Sequence, residues 1–550
     1  MLFRHFLILL LSLFLLSCST TKLVVRRDLD KNGEIFEFHE SHKHVLWLLI
    51  DGVNATVLRS MLERGELPNI HTHIYRRGPY TFYAMSSHVS NTYPNVAAQL
   101  TGKFPGHIGI PNNQYLDTEY KDRINLIEYP GILQAKNLLK NELTIFHYLK
   151  AQKLYSVSVT DLLATSANVQ VIDLFKTGVK EINRQYDRID KRTFIDLASV
   201  IEETSKTDQL PALMYAHLIG PDSTGHLQGI TSEEYLASLR LIDTEFGKLV
   251  NLIYEKGYYD DFAFVISSDH GQIPFKNRLN FDEFLYEILK EKPRGFCKTS
   301  KCRIDDGKIG DVVFVHGADR DAFIYFQVGD LESFYRKGWG ERIRLDELLS
   351  YTLPSGKNVD IIHEIVKADG VGLIFARESD ERFHVFSRNG HALITRSKFL
   401  GFKLEYSYEI LEGEDPLELE VGRLPAQGRL LSSRDWLALT EQSPYPDVIP
   451  QMPELFQTSK TGDLIVYASP AYTFSEEYVS GHGGGTRPEM YTPFLFGGRG
   501  LDRRDLGPFR TIDITPTILH FMGLRVNPVD RIDGEASCVF LKYCPYLEYE

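Results

Sequence analysis

Positive charge is in short supply in this chain: 61 lysines and arginines stand against 74 aspartates and glutamates, a net charge of −13. This argues against a scaffold that holds nucleic acid by neutralising its phosphates. An acidic protein can still bind phosphate, provided metal ions bring positive charge locally. Internal repeats and low-complexity tracts are missing, which excludes a repeat array. After residue 17 no apolar run is long enough to cross a bilayer. Cysteine is scarce, five residues in 550. Apart from Cys18 they form two sequence-local pairs, and neither pair has the two-residue spacing or the nearby histidine of a zinc knuckle. Two short-loop disulfides, Cys297–Cys302 and Cys538–Cys544, are expected in an exported chain.

Export is what the N-terminus predicts. "MLFRHFLILLLSLFLLSC" has a basic start at Arg4, an apolar stretch from Phe6 to Leu16, and then Ser17-Cys18, the layout of a secretory signal over residues 1–17. Leu15-Leu16-Ser17 before Cys18 resembles a bacterial lipobox, which implies lipidation of Cys18 and a membrane-anchored lipoprotein. A non-cleaved anchor and an ordinary signal peptide are the alternatives. Ser19 after the cysteine favours outer-membrane sorting, with the cell surface or periplasm as the setting. Residues 18–42 then read as a polar tether.

Beyond the tether the texture is α/β. "HVLWLLI" (His44–Ile50) is a continuous apolar run closed by Asp51-Gly52, as a buried parallel strand reads, and a helical stretch follows over Asn54 to Arg64. The same run-then-polar pattern returns at "ALMYAHLIG" (Ala212–Gly220) and "FAFVISSDHG" (Phe262–Gly271), with a helical pattern from Ser232 to Lys256 between them. Tyr491–Gly498 reads as a late strand and Thr511–Gly523 as a closing helix. The alternation predicts a doubly wound, mostly parallel sheet built from residues 43–276 and 461–550. Residues 277–460 have shorter strands and two amphipathic helical patterns, and read as an inserted α+β cap over one edge of the site.

Open α/β sheets gather ligand groups just beyond the carboxyl ends of their strands. The polar residues at those places are Asp51, then Asp222 and His226 in "GPDSTGH", Asp269 and His270 in "SSDHG", and His482 in "SGHGGG". Each alone has a bland reading as a turn, a cap or a packed histidine. Independent turns would not be expected to carry only metal-ligand chemistry at successive strand ends. Asp222 and His226 flank Gly225, which would let the chain fold back so that both face one ion. Nitrogen and oxygen ligands without thiolate suit zinc, with manganese or iron as the other divalent choices. "SNTYPNVAAQLTG" (Ser90–Gly102) reads as a short helix with Pro94 near its start and Gly102 at its end, and leaves open whether Thr92 merely caps it.

The segments "LLIDG", "NTYPNVAAQLTG", "GPDSTGHLQG", "SSDHG" and "SGHGG" occur in the order that resembles the alkaline phosphatase superfamily, and most nearly its type I phosphodiesterase/nucleotide pyrophosphatase branch. The resemblance covers roughly residues 43–275 and 461–525. It implies two Zn²⁺ ions, one held by Asp51, Thr92, Asp269 and His270 and the other by Asp222, His226 and His482. It also implies Thr92 as a nucleophile forming a phospho-threonine, Asn113 in "IPNNQYLD" facing a phosphoryl oxygen, and Tyr93 stacking on a nucleobase; plain packing beside Pro94 is the other reading of Tyr93. One departure stands out: family members carry His-Gly-Ile, and here the order is His107-Ile108-Gly109-Ile110, so either the histidine is shifted or Ile108 replaces it.

The reaction so implied is hydrolysis of a small phosphate diester, such as a nucleotide derivative. Phosphomonoesterase relatives bring a lysine or arginine to the extra charge, and Ser156–Val169 has neither, although Arg320 or Arg377 of the insertion could reach in. "AHLIGPDSTGH" also resembles a segment of phosphoethanolamine transferases, an alternative that a lipid-tethered enzyme would suit. A sulfatase is disfavoured, because Thr92-Tyr93-Pro94-Asn95 lacks its Cys/Ser-x-Pro-x-Arg frame. A non-enzymatic surface-binding lipoprotein is the alternative of another class, and it predicts a protein without divalent ions.

Overall fold

The computed structural model describes residues 44–117, 122–127, 131–172, 184–289, 312–326, 342–353, 355–399, 403–419, 425–524, 526 and 530–537. The signal, Cys18, the tether and both cysteine pairs lie outside the described residues.

An eight-stranded sheet forms the centre, in the order 509–510, 80–85, 491–498, 262–267, 44–50, 213–218, 156–159, 169–171. His44–Ile50 runs parallel to Leu213–Leu218 on one side and to Phe262–Ser267 on the other, with Leu46 opposite Met214 and Phe264. The 491–498 strand closes the mixed side, antiparallel to both its neighbours. Alternation explains why the middle strand is apolar throughout. Val45, Trp47 and Leu49 enter one core cluster with Val96 and Leu100 of the Thr92–Thr101 helix, while Leu46, Leu48 and Ile50 enter another with Phe194, Leu239 and Phe246 of the 186–205 and 233–255 helices. The sheet is doubly wound, as the sequence predicts.

Helix ends follow their caps. The helix Ala55–Glu63 starts where the Asn54 side chain accepts from Val57 N, and the helix Glu233–Glu255 where Ser232 accepts from Tyr235 N.

A second eight-stranded sheet, antiparallel throughout, has the order 312–316, 321–326, 464–468, 371–377, 382–386, 390–399, 403–413, 431–432. Its strand Leu464–Ala468 lies beyond residue 460, the limit that the sequence pattern suggests for the insertion. One face, with Phe323, Phe375 and Tyr467, joins the core cluster of the first sheet. The other, with Ile324, Ile374 and Val466, is covered by the helices Phe281–Leu289 and Ile361–Val366. Among the described residues no helix is long and apolar enough to cross a membrane.

Candidate metal centre and nucleophile

Two parallel strands and one helix deliver the first group of side chains. Asp51 follows the 44–50 strand and Asp269-His270 follow the 262–267 strand, all buried. Gly52 turns the chain at φ +63°, and its N–H donates to Asp269 Oδ1 at 3.2 Å. His270 Nε2 lies 3.4 Å from Asp51 Oδ1 and 3.3 Å from Asp269 Oδ2.

Thr92 completes this group. The N-cap of its helix is Asn91, whose backbone is extended, and Thr92 is the first helical residue. Its hydroxyl is therefore not the cap. It sits 3.1 Å from His270 Nε2. Being at the N-terminus, it lies in the positive end of the helix dipole.

The second group comes from elsewhere. Asp222 and His226 lie on the helix Gly220–Gln228, one turn apart, with Asp222 Oδ1 3.4 Å from His226 Nε2. Helical spacing brings them to one face, rather than the fold-back at Gly225 that the sequence suggests. Gly225 serves another end: a side chain there would strike Gln272, which donates from Nε2 to Asp222 Oδ1 at 2.6 Å. Buried Asp190 fixes the start of this helix by accepting from Ile219 N and Gly220 N at 3.0 and 3.1 Å. His482 stacks on His270 with ring centroids 3.6 Å apart, its Nε2 3.7 Å from Asp222 Oδ1 and its Nδ1 2.9 Å from the Ser90 carbonyl. Among the described residues, three sets have ligand atoms within 4.8 Å of one another: Asp51 with Asp269 and His270, Asp222 with His270 and His482, and His226 with Asp319 and His482.

This crowding is costly for the protein alone. Burial and the facing carboxylates of Asp269 and Asp222 push the Asp51 carboxyl well above its usual range. Burial and the His270 ring hold His482 well below the usual imidazole range. Burial would raise Asp222, but His226 and the other two imidazoles outweigh it and hold the carboxyl low. Asp51 Oδ1 and Asp269 Oδ2 are buried without a hydrogen-bond partner. Orphaned carboxylate oxygens beside imidazoles fit divalent cations, and the nitrogen and oxygen donors without thiolate are those that zinc, manganese and iron accept.

Asn113 is buried and accepts from Tyr93 N through Oδ1 at 2.9 Å, which leaves its NH₂ end for an acceptor beside Thr92. Tyr93 is half-buried and packs on the edge of the core cluster. Neither arginine suggested for the site reaches it. Arg320 is fully buried against Glu489 at 2.7 Å, and Arg377 pairs with Asp380. His107, the histidine of that departing segment, sits between Asp533 and Glu454 at 2.7 and 2.8 Å.

Several residues of the site are ones that the sequence pattern does not single out. His217, inside the apolar run 212–220, puts Nε2 3.0 Å from Asp51 Oδ2; a histidine in a buried strand was the available signal. Asn91 donates to Asp321 Oδ1 at 2.8 Å and to Asn112 Oδ1 at 2.6 Å, bracing the start of the Thr92 helix. Asp319 and Asp321 lie at the tip of a hairpin in the second sheet, so the insertion supplies buried residues to the site as well as flanking it.

Comparison with known proteins bears on the family and the fold. Residues 45–342 match the type I phosphodiesterase / nucleotide pyrophosphatase family. The fold is similar to murine ectonucleotide pyrophosphatase / phosphodiesterase 5, with a TM-score of 0.53 at 14% identity over 88% of this chain and 96% of that one. An inactive form of the murine protein in complex with AMP aligns with a TM-score of 0.51 at 13% identity, over the same shares of the two chains. A stretch of 82 residues is 37% identical to GPI ethanolamine phosphate transferase 1 of Aspergillus fumigatus, spanning 15% of this chain and 8% of that protein. The corresponding protein of Gibberella zeae is 42% identical over 60 residues, 11% of this chain and 6% of its own length. Since the family match extends over more than half of the sequence, the chain belongs to the type I phosphodiesterase / nucleotide pyrophosphatase family, a family of phosphoric diester hydrolases.

Proposed function

We propose that this protein is a two-zinc phosphodiesterase acting on small phosphate diesters, nucleotide derivatives among them, with Thr92 as the nucleophile. The observation that carries the reading is the Thr92 hydroxyl, freed from capping and held 3.1 Å from His270 in a cluster of orphaned carboxylate oxygens. Asp51, Thr92, Asp269 and His270 would hold one ion, and Asp222, His226 and His482 the other. Ions bound there supply the positive charge that acidifies the threonine hydroxyl and offsets the phosphate and its leaving oxygen. Thr92 Oγ1 attacks phosphorus in line; the Oγ1–P bond forms as the bond to the leaving alcohol or phosphate breaks. Asn113 Nδ2 and the amides of the first helical turn donate to the non-bridging oxygens as charge shifts onto them. Water then cleaves the phospho-threonine and restores the hydroxyl.

A diester is favoured because the two arginines that could have met the extra charge of a monoester, Arg320 and Arg377, are engaged elsewhere. The neighbour bound to AMP supports nucleotide-like substrates. The stretch similar to GPI ethanolamine phosphate transferases supports a second reading, transfer of the phosphoryl group to an alcohol instead of water. Lipid anchoring through Cys18, export to the outer membrane or periplasm, and the two disulfides belong to the same proposal. The test is a parallel assay on p-nitrophenyl phosphate, bis-p-nitrophenyl phosphate and the p-nitrophenyl ester of thymidine 5′-monophosphate, with metal content measured on the same sample. The nucleotide diester is expected to be cleaved fastest, by protein carrying two zinc ions. Preference for the monoester would overturn the substrate assignment, and a protein that binds no divalent ion would overturn the mechanism.

A further inference from the structure

The segment "GADRD" (Gly317–Asp321) joins the strands Val312–His316 and Asp321–Phe326, and its three charged residues go to three different places. Asp321 accepts from Asn91 and Asn112 beside Thr92. Arg320 donates to Glu489, which in turn accepts from Gly484 N in the loop that carries His482. Asp319 turns toward His226.

Four observations bear on Asp319. It is only 4% exposed. Its Oδ2 lies 3.1 Å from His226 Nδ1, yet that nitrogen directs its hydrogen bond to the Ser480 carbonyl at 3.0 Å, so Oδ2 is a buried oxygen without a hydrogen-bond partner. The opposite ring nitrogen, Nε2, faces Asp222. The carboxylate also rests on the backbone of Gly481, where a Cβ would come within 1.8 Å of Oδ2. The residue next to His482 is thus one at which a side chain would drive Asp319 away from His226.

We propose that Asp319 is a positioning residue for the second metal position: together with the Ser480 carbonyl it keeps the proton of His226 on Nδ1 and presents Nε2 to the ion. This rests on the two-metal reading above and adds to it a group from the second sheet. A carboxylate behind a ligating imidazole fixes the tautomer and ring orientation and strengthens the nitrogen as a donor, and losing such a partner weakens metal binding by roughly 10–100-fold. The Asp319 main chain is held independently, its carbonyl accepting from Phe474 N at 2.7 Å and Thr473 Oγ1 at 2.9 Å, so the hairpin tip keeps its place when the side chain is changed.

The test is zinc competition against a chromophoric chelator on the full chain, for the native protein, Asp319→Ala and Asp319→Asn, with the melting temperature of each metal-stripped protein alongside. In Asp319→Ala one of two ions is expected to bind ~10–100-fold more weakly and the other unchanged. Asp319→Asn, which keeps the shape but not the negative charge facing His226, is expected to weaken the same ion, and the metal-stripped melting temperatures to agree. Unchanged affinity at both ions in Asp319→Ala, with two ions in the native protein, overturns this inference and leaves the two-metal reading standing. A lowered melting temperature of the metal-stripped variants without a selective loss at one ion makes Asp319 structural and also overturns it. Native protein that binds no divalent ion overturns the two-metal reading itself. Should Asp319→Ala fail to fold, Asp319→Asn decides alone, by weaker binding at one ion or by none.

Discussion

The two halves of the candidate centre are held by different means. Asp51, Asp269 and His270 sit directly on the ends of two paired parallel strands, and Thr92 on the first turn of a helix packed under the same sheet. Their placement follows from the sheet, and each is tied to another member or its neighbour within the core. Asp222, His226 and His482 come from a nine-residue helix and a glycine-rich loop. That half depends on supports from outside the strand ends: Asp190 under the helix, Gln272 beside Asp222, and the hairpin tip 317–321 behind His226 and the 482 loop. The strand ends place one half directly, with the hairpin's Asp321 reaching no further than Asn91 beside Thr92, whereas in the other half Asp319 of that hairpin faces His226 itself.

The sharpest test of the first half is its nucleophile. Thr92→Ala removes the attacking oxygen and nothing that supports the fold, since the hydroxyl does not cap its helix. Turnover of a phosphodiester is expected to fall by about 10⁴-fold or more, the scale at which loss of a covalent nucleophile acts in other hydrolases. The melting temperature of the metal-stripped protein should hardly move, and three ligands remain for the ion beside position 92. The check is kcat on bis-p-nitrophenyl phosphate, with acid quenching of labelled substrate to look for phosphoprotein. A variant that retains turnover would separate Thr92 from the chemistry and leave the half-site as a metal cradle only.

The difference between the halves also governs what the sequence discloses. Strand-end residues follow from a local pattern, an apolar run that stops, so Asp51, Asp269 and His270 are legible from sequence alone. Asp222 and His226 are legible as residues, but their mutual placement is not, because Pro221 and Gly225 look like turn residues and the segment is nonetheless helical. Asp319 and Asp321 are not legible at all. A hairpin tip rich in charge reads as solvent-facing, and nothing in its spacing says that it is buried against residues as far as 230 positions away. The glycines of "SGHGGG" are legible as a loop, but their reason is not: Gly481 admits the Asp319 carboxylate. The same limit sets the expected end of the insertion at residue 460, since membership of the 464–468 strand in the second sheet is a matter of long-range pairing.

Breaking the support of the second half should act on stability as much as on activity. Arg320 and Glu489 form a fully buried ion pair, and Arg320 also donates to the carbonyls of Ala468, Ser469 and Tyr472. Arg320→Leu leaves Glu489 charged and unpaired inside the protein, a loss of about 3–5 kcal/mol. Denaturant unfolding measures it. Arg320→Met combined with Glu489→Gln removes both charges and should recover part of that loss. If the single variant is as stable as the native protein, the hairpin does not brace the 482 loop, and the contrast between the halves weakens.

A smaller effect is expected where the halves touch. Gly52 has φ +63°, donates to Asp269 of the first half, and leaves room for Asp222 of the second, whose Cα would lie 2.8 Å from an added Cβ. Gly52→Ala therefore combines backbone strain with a clash against main chain, worth about 1–3 kcal/mol. Because the Asp222 segment must give way, the ion held there is expected to dissociate more readily than the one beside Thr92. Sequential loss of zinc during chelator titration would read this out; parallel loss of both ions would mean that the two positions are more tightly joined than their separate supports suggest.

The smallest effect concerns the seam between the sheets, away from the reacting groups. His107, on the short helix Pro105–Ile108, meets Asp533 and Glu454, and Glu454 also accepts from Arg396 and Tyr406 of the second sheet. Burial alone would depress the His107 pKa, but hydrogen bonds to Asp533 and Glu454 outweigh it and raise it to about 10. A histidine whose folded pKa exceeds its unfolded value near 6.5 stabilises the fold fully below pH 6.5, and the contribution fades as pH rises toward 10. Because the side chain is partly open to solvent, the contribution is discounted to about 1–2 kcal/mol. Unfolding free energy should therefore decline between pH 6.5 and 10 in the native protein. His107→Gln, which can still hydrogen-bond but carries no titrating charge, should lie lower at pH 6 and flatten that decline. An equal slope in both proteins would assign the alkaline loss to some other group, and the seam would then owe its strength to apolar contact between the sheets instead of to this ion pair.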